Sequence, residues 1–235
     1  MLLPAELKSQ DRTGPSTADH IYSWFKRGLD IVLSSIGLLV LAPVFALLAI
    51  VIKLDSRGPV FYAQERIGLN RRRSHGNQGA ADERRRMDTF GRPFKIYKLR
   101  TMVADAEKNT GPIWAKAGDS RVTRVGKILR KTRLDEFPQL WNVLRGEMSL
   151  VGPRPERPSF VLSLSESLPD YPKRCFAVPG ITGLAQVKSR YDTSIETVSR
   201  KLQYDLYYVR HGRLMLDFKI MVATLKVMAR GEGAH

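Results

Sequence analysis

An uncharged apolar segment over residues 31–52 constrains the fold of this chain more than any other feature. As an α-helix it would be roughly 30 Å long, which is enough to cross the hydrocarbon core of a bilayer. The segment starts too far along the chain for an ordinary secretory signal, and no obvious cleavage site follows it. We therefore expect it to be kept as a membrane anchor.

Pro43 lies near the centre of this apolar segment, and basic residues lie on both sides of it. A proline removes a backbone donor and clashes with the preceding turn, so we predict a kink. Basic flanks favour the cytosolic side. A kinked, re-entrant hairpin helix over residues 21–57, which enters and leaves the same leaflet, would place both basic flanks in the cytosol. An ordinary kinked spanning helix is the alternative, because prolines are common in membrane helices.

The residues outside the anchor predict a polar tail and one folded domain. We expect a flexible tail over residues 1–20 and an α/β, helix-rich, membrane-associated domain over residues 58–235. Aromatic and β-branched residues indicate strands at 59–62 and 93–99, and the basic insert between them, residues 70–90, is typical of a surface loop. Helical periodicity is found at residues 121–133, 194–210 and 214–228. The last of these helices could lie on the membrane surface or pack against the domain core.

The chain carries a net charge of +16, from 39 lysines and arginines against 23 aspartates and glutamates. This excess indicates anionic partners, which could be nucleic acid, a membrane surface or phosphorylated small molecules. The four histidines lack metal-ligand spacing, and the sequence has no P-loop, dinucleotide fingerprint or HExxH motif, which excludes zinc and nicotinamide sites. The single cysteine excludes an internal disulfide.

Two adjacent carboxylates, Asp135 and Glu136, stand just before a predicted helix start in this basic chain. Pro138 disfavours helix at Phe137 and suits the first helical position, and Gly146 can end that helix. The helix N-terminus favours anions and keeps nearby carboxylates ionised. An ionised aspartate can be a nucleophile or a metal ligand, and the alternative is that one of the pair only caps the helix.

Arg154 is bracketed by Pro153 and Pro155, which restrict the local backbone and limit the entropy lost when a guanidinium binds a ligand. That arrangement suits a bidentate phosphate clamp, and a rigid surface turn is the alternative. A second tight loop over residues 179–183 contains two glycines and could let the backbone approach a ligand. Arg190 follows it closely.

The chain resembles the bacterial sugar transferase family, the monotopic polyprenyl-phosphate phosphoglycosyl transferases. The resemblance extends from about Lys26 to about Gly231 and rests on four segments in this order: KRGLDIVLSSIGLLVLAPVF, GRPFKIYKLRTM, DSRVTRVGKILRKTRLDEFPQLWNVLRGEMSLVGPRP and PGITGLAQV. It implies transfer of a sugar 1-phosphate from a UDP-sugar to undecaprenyl phosphate, as the initiating step of exopolysaccharide or related glycan synthesis. It also implies a re-entrant anchor in the bacterial inner membrane, with the catalytic domain on the cytosolic face.

The same resemblance assigns roles to individual residues. It implies that Asp135 is the nucleophile, that Glu136 associates with a Mg²⁺ cofactor, and that UMP leaves as an aspartyl phosphosugar forms. Undecaprenyl phosphate would then attack that intermediate. The implied substrate- and phosphate-binding residues are Arg130, Arg154, Arg190, Lys98 and Arg100. The chain departs from the family pattern at Ala42, Val178 and Leu184. These departures affect the expected details of substrate contact more than the expected reaction.

Two other functions remain open at this stage. A membrane-tethered basic adaptor could bind anionic lipid or nucleic acid through the insert at residues 70–90, although nucleic acid is not expected because aromatic platforms and recognised nucleic-acid folds are missing. A membrane glycosyltransferase that moves the sugar alone would release UDP instead of UMP. The sequence assigns neither the sugar nor the oligomeric state.

Overall fold

The computed structural model describes residues 17–70, 90–106, 118–189 and 194–229. One long helix leads into a helix-rich domain. In chain order the elements are α1 (Thr17–Asp55), β1 (Phe61–Ile67), β2 (Pro93–Leu99), α2 (Arg124–Thr132), a first 3₁₀ helix (Leu134–Glu136), α3 (Gln139–Arg145), β3 (Ser149–Val151), α4 (Pro158–Ser167), a second 3₁₀ helix (Tyr171–Phe176), β4 (Gly180–Thr182), α5 (Leu184–Lys188), α6 (Ile195–His211) and α7 (Leu214–Ala229). Most of the predicted tail, residues 71–89 of the insert and Arg190 lie outside the described residues.

The first helix, α1, contains the predicted anchor and runs continuously through Pro43. By length and composition it could cross a membrane. Its apolar side chains are largely uncovered: Leu39 is 78 % exposed and Leu54 is 82 % exposed. Such a surface is unfavourable in water, so it supports membrane association. The bend at Pro43 stays a prediction.

The described strands form two separate pairs. β1 and β2 are antiparallel, with Phe61 opposite Leu99, and β1 runs further along the chain than the sequence pattern predicted. β3 and β4 are parallel, with Val151 opposite Thr182, and α4 lies within the crossover between them. The prediction of a helix-rich domain is confirmed, and within the described ranges each sheet has only two strands.

The predicted helices are present with small shifts of their ends. α2 begins after Thr123, whose side chain accepts a hydrogen bond from the Gly126 N–H at 3.0 Å. A Cβ on Gly126 would lie 2.1 Å from the carbonyl oxygen of Thr101, so this close packing of α2 against the end of β2 requires glycine. On α7, Ile220 is buried whereas Phe218 is 59 % exposed, so one face packs on the core and another remains available to the membrane.

Buried apolar clusters hold the domain together and join it to α1. The end of α1 shares one cluster with β2 and α2 through Ile52, Leu99 and Leu129. The other buried clusters are Ile96 with Val143 and Met148, Val151 with Leu184, Tyr208 and Ile220, and Ile67 with Val161, Tyr171, Val198, Leu202 and Leu206. Together they surround the strand pairs on which the site described below is built.

Polar side chains near both ends of α1 contact this same domain. Near the start, Arg27 donates hydrogen bonds to carbonyls in the last turn of α3, and the carboxylate of Asp30 accepts the N–H of Leu150 at 3.0 Å. At the other end, the carboxylate of Asp55 accepts the N–H of Val125 at 3.2 Å. Both ends of the apolar helix are therefore fixed to one folded body.

Candidate active site

The Asp135–Glu136 pair lies in the 3₁₀ helix between α2 and α3. The chain reverses at Arg133, which adopts the left-handed conformation with φ of 57° and ends α2. This tight turn points both carboxylates towards residues of β2 and of the loop after β3. α3 then ends at Gly146, with φ of 77°, as the sequence predicted.

The backbone of Phe137 differs from the prediction. We expected Pro138 to keep Phe137 out of the helical region, but Phe137 is helical, with φ of −60° and ψ of −30°. Its N–H donates to the carbonyl of Leu134 and closes the 3₁₀ turn, which offsets the steric preference imposed by the proline. Pro138 is the N-cap of α3 without a side-chain hydrogen bond, so the geometry does not support the capping alternative.

Glu136 is held between two cations from different elements. Lys98 of β2 places its Nζ 2.9 Å from Oε1, and Arg154, from the loop after β3, donates from Nη1 to Oε2 at 3.2 Å and from Nη2 to Oε1. Burial raises the pKa of Glu136, but Arg154 and Lys98 outweigh burial and hold that pKa well below its ordinary value. Glu136 is therefore ionised at neutral pH.

Asp135 has a different environment from its neighbour. Its side chain is buried, with the residue 7 % exposed, and no donor in the described part of the chain hydrogen-bonds its carboxylate. Burial raises the pKa of Asp135 to about 6; the charge on Lys98 opposes this rise and that on Glu136 adds to it. Asp135 is mostly ionised at pH 7, and within the described ranges no protein donor engages its oxygen lone pairs. That is the condition a carboxylate nucleophile requires.

Arg130 completes the basic surroundings of Asp135. It lies in the last turn of α2, and its Nε donates to Thr101 Oγ1 at 2.9 Å. Burial lowers the pKa of Arg130, and the charges of Asp135 and Asp119 raise it, which places its guanidinium in the field of the candidate nucleophile. The structure thus brings Lys98, Arg130 and Arg154 to the carboxylate pair, and their binding of substrate phosphate stays a prediction.

Arg100 lies elsewhere. Its Nη2 donates to the carbonyls of Ile52 at 3.2 Å and Ser56 at 2.6 Å, at the C-terminal end of α1. The residue is 6 % exposed, and a Cβ on Gly58 would lie 2.2 Å from its Nη1. These contacts join the residue after β2 to the end of α1 and do not reach the carboxylate pair. Its predicted contact with substrate phosphate stays a prediction.

The loop that presents Arg154 is fixed through its backbone carbonyls. The carbonyl of Pro153 accepts the N–H of Gly180 at 2.9 Å, at the start of β4. The carbonyl of Pro155 accepts a bond from the Arg66 guanidinium at 3.0 Å. Because Arg66 and Gly180 come from distant parts of the chain, the position of Arg154 is set by tertiary structure as well as by its flanking prolines.

Comparison with known proteins gives the family. The model of the bacterial sugar transferases matches residues 21–231. The chain belongs to that family. It is 38 % identical over 226 residues to an N-acetylgalactosaminephosphotransferase of Aeromonas hydrophila, which acts between UDP-N-acetylgalactosamine and undecaprenyl phosphate. It is 40 % identical over 214 residues to a UDP-glucose:undecaprenyl-phosphate glucose-1-phosphate transferase of Caulobacter vibrioides.

A third relative is the putative undecaprenyl-phosphate N-acetylgalactosaminyl 1-phosphate transferase of Bacillus subtilis, 41 % identical over 171 residues. The matches cover 96 %, 89 % and 73 % of this chain for the Aeromonas, Caulobacter and Bacillus relatives. They cover 48 %, 72 % and 80 % of those relatives. The chain thus spans about half the length of the Aeromonas protein, and the relatives differ in the sugar they are named for.

The two carboxylates of this site fit Mg²⁺ only together with further oxygen ligands. Among the described residues there is no group of three or more His, Cys, Asp or Glu side chains that could hold a metal ion. Mg²⁺ commonly binds through one or two carboxylates and substrate phosphates, and Asp135 and Glu136 provide that number of carboxylates. Lys98 and Arg154 both donate to Oε1 of Glu136, whereas Oε2 has one donor among the described residues, Nη1 of Arg154, so Oε2 is the Glu136 oxygen with a lone pair left for Mg²⁺.

Sequence reasoning missed a buried cluster centred on Asp217 of α7. This residue is 3 % exposed, and its carboxylate accepts bonds from Tyr22 at 2.9 Å, Lys26 at 2.8 Å and Tyr208 at 2.7 Å. Lys26 also donates to the carbonyl of Val151, three residues before Arg154, and the Tyr208 hydroxyl oxygen lies 3.1 Å from the same carbonyl. The one available signal was a single aspartate in the first turn of an apolar helix. The cluster ties α1 to the strand that leads into the Arg154 loop.

Proposed function

We propose that this chain transfers a sugar 1-phosphate from a UDP-sugar to undecaprenyl phosphate and releases UMP. The observation that carries this proposal is the buried, ionised Asp135 beside a Glu136 that two cations hold. The names of the Aeromonas and Caulobacter relatives support it, because each name contains both a UDP-sugar and undecaprenyl phosphate. We further propose that the product starts exopolysaccharide or related glycan synthesis, as the name of a Rhizobium relative, an exopolysaccharide production protein, suggests.

In the first step, a carboxylate oxygen of Asp135 forms a bond to the sugar-linked phosphorus, and the bond from that phosphorus to the oxygen of UMP breaks. A donor diphosphate repels an incoming carboxylate, so the reaction requires nearby positive charge. Arg154, Lys98 and Arg130 supply it from three different elements. When bound, Mg²⁺ would neutralise further charge on the diphosphate.

In the second step, an oxygen of undecaprenyl phosphate attacks the phosphorus of the aspartyl phosphosugar and displaces the Asp135 carboxylate. This two-step route regenerates the free carboxylate. It also requires the site to be reached from water by the donor and from the bilayer by the acceptor. The attachment of the domain along the apolar α1 helix supports such a position at the membrane surface.

The decisive experiment measures the nucleotide released by the purified protein with Mg²⁺, undecaprenyl phosphate and a panel of UDP-sugars. UMP release with one sugar supports the proposal and identifies the donor. UDP release would instead indicate transfer of the sugar alone. If neither nucleotide appeared and deletion of residues 71–86 abolished function in cells, the adaptor would be the better explanation.

We also propose that α1 is re-entrant, with both ends on the cytosolic side. Arg27 and Asp30 near its start and Asp55 at its end all bond to one folded domain. A helix spanning the bilayer would place these polar groups on opposite sides. We expect single cysteines at the exposed positions Ser23 and Arg57 to react with an impermeant maleimide added to the cytosolic side.

The labelling is done in a Cys175→Ala background with sealed inverted vesicles and, in parallel, with intact spheroplasts. Reaction at both positions in the inverted vesicles and at neither in the spheroplasts is the expected result. Labelling of Ser23→Cys in the spheroplasts alone would contradict the re-entrant arrangement and establish a spanning helix.

The first step should be lost at low pH. Because burial raises the pKa of Asp135 to about 6, its carboxyl is protonated and non-nucleophilic below that value. We expect the single-turnover rate of UMP release to fall about tenfold for each pH unit below about 6. The rate is measured without acceptor lipid, because the acceptor phosphate titrates in the same range. A rate that stays constant between about pH 5 and pH 7 would contradict this assignment.

A further inference from the structure

Arg174, in the second 3₁₀ helix, is a buried cation that no step above uses. It is 7 % exposed, and all three guanidinium nitrogens have partners. Nε and Nη2 lie 2.9 Å and 2.6 Å from Oδ2 of Asp205, and Nη1 donates to the hydroxyl of Tyr171 at 2.9 Å. Nη2 also donates to the backbone carbonyl of Arg154 at 2.9 Å. Arg174 therefore connects α6 directly to the residue that clamps Glu136.

The orientation of the Arg154 carbonyl depends on the ψ of Arg154, a torsion that Pro155 restricts to the extended range without fixing it. Pro153 has a fixed φ, and Pro155 keeps Arg154 in the extended region without fixing its ψ. A hydrogen bond to the Arg154 carbonyl fixes that ψ, and with it the relation of the Arg154 side chain to the following chain. Arg174 is the donor of this bond, so the guanidinium of Arg174 controls how Arg154 is presented.

Asp205 in turn determines the direction of Arg174. It is 2 % exposed and lies on α6, a 17-residue helix, so its carboxylate is held on a rigid element. A guanidinium bound through two nitrogens to one carboxylate has little rotational freedom. The ring of Tyr171 lies 5.0 Å from the guanidinium carbon and limits movement further. The path from α6 through Arg174 to the Arg154 carbonyl is thus rigid throughout.

We propose that Arg174, oriented by Asp205, is a positioning residue that sets Arg154 against Glu136 for the transfer step. This inference rests on the proposed function, in which Arg154 stabilises the donor phosphates. The competing explanation is that the Arg174–Asp205 pair only stabilises the fold. The two explanations differ in whether the effect of losing the pair depends on Arg154.

The test is a double-mutant cycle in kcat/KM for UMP release. Removal of Arg174 alone would leave Asp205 buried and unpaired, so we use the variant Arg174→Met/Asp205→Leu, which replaces the pair by apolar side chains. We expect it to fold and to lose about 100-fold in kcat/KM, because small displacements of an aligned group have effects of that order. Arg154→Ala should lose about 100-fold or more. The triple variant should lose no more than Arg154→Ala alone.

Asn142→Leu serves as the matched structural control. Asn142 is fully buried and donates to the Lys95 carbonyl and to Glu147, each at 2.7 Å, without contact to the Arg154 loop. Any loss in kcat/KM that Asn142→Leu causes should multiply with the loss caused by Arg154→Ala, because the two effects are independent. Asp205→Asn provides a second, nearly isosteric variant in case the double variant does not fold, and its smaller loss should likewise vanish in the Arg154→Ala background.

The outcomes separate the inference from the function on which it rests. If the wild-type protein releases UMP and the loss from Arg174→Met/Asp205→Leu multiplies with that from Arg154→Ala, the pair is only structural and the inference is overturned. Full turnover in either the double variant or Arg154→Ala would also overturn it. If the wild-type protein releases no UMP with any donor, the proposed function itself fails, and the inference fails with it.

Discussion

Asp135→Asn should abolish UMP release while the protein stays folded and bound to the membrane. We expect the rate to fall by at least about 10⁴-fold, as is found when an enzyme loses its nucleophile. The amide has almost the volume of the carboxylate but no anionic oxygen to attack phosphorus. Folding should be little affected, because no donor in the described ranges bonds the Asp135 carboxylate and no hydrogen bond is therefore lost.

The measurement combines UMP release with trapping of the covalent intermediate. Wild-type protein incubated with sugar-labelled donor and no acceptor should retain label after denaturation, and Asp135→Asn should not. Asp170→Asn is the matched control, because Asp170 is an exposed carboxylate paired with Lys173 and remote in its contacts from the pair. Its activity should equal that of the wild type. Retained turnover in Asp135→Asn would remove Asp135 from the role of nucleophile.

The elements that sequence predicted best are those with local signals. Helical periodicity located α2, α6 and α7 to within a few residues, and the left-handed glycine at Gly146 ended α3 as expected. The position of Asp135 and Glu136 just before a helix start was predicted because two carboxylates and a proline lie close together in the chain. Phe137 was predicted wrongly, because a local steric preference was outweighed by the hydrogen bond that closes the 3₁₀ turn.

The parts that sequence reasoning missed depend on contacts between distant residues. Tyr22 and Asp217 are separated by 195 positions, and Arg174 and Asp205 by 31, so no spacing rule joins them. Arg100 shows the converse difficulty. Its phosphate contact stays a prediction, but the sequence did not indicate that packing of β2 against α1 turns its guanidinium towards the carbonyls of Ile52 and Ser56. Tertiary structure decides which of several basic residues face a site.

Glu136→Gln should reduce UMP release by about 10²- to 10³-fold, the effect typical of losing one electrostatic contributor to a transition state. The glutamine has one acceptor oxygen, so it cannot retain both Lys98 and the two Arg154 nitrogens. The two cations would then repel each other, and Arg154 would leave its present position. Glu136→Asp keeps the charge at a shorter reach and should recover part of the activity.

The same substitution should also move the pH dependence, and in a direction that loss of structure would not produce. The charge on Glu136 raises the pKa of Asp135, so its removal lowers that pKa. The acid limb of single-turnover UMP release should therefore shift below about pH 6 in Glu136→Gln, although the rate on the plateau is smaller. If the acid limb stayed at the same pH while the plateau rate fell, the charge on Glu136 would not affect the pKa of Asp135. Glu136 would then affect the rate of UMP release through binding of Mg²⁺ or donor, and not through the ionisation of Asp135.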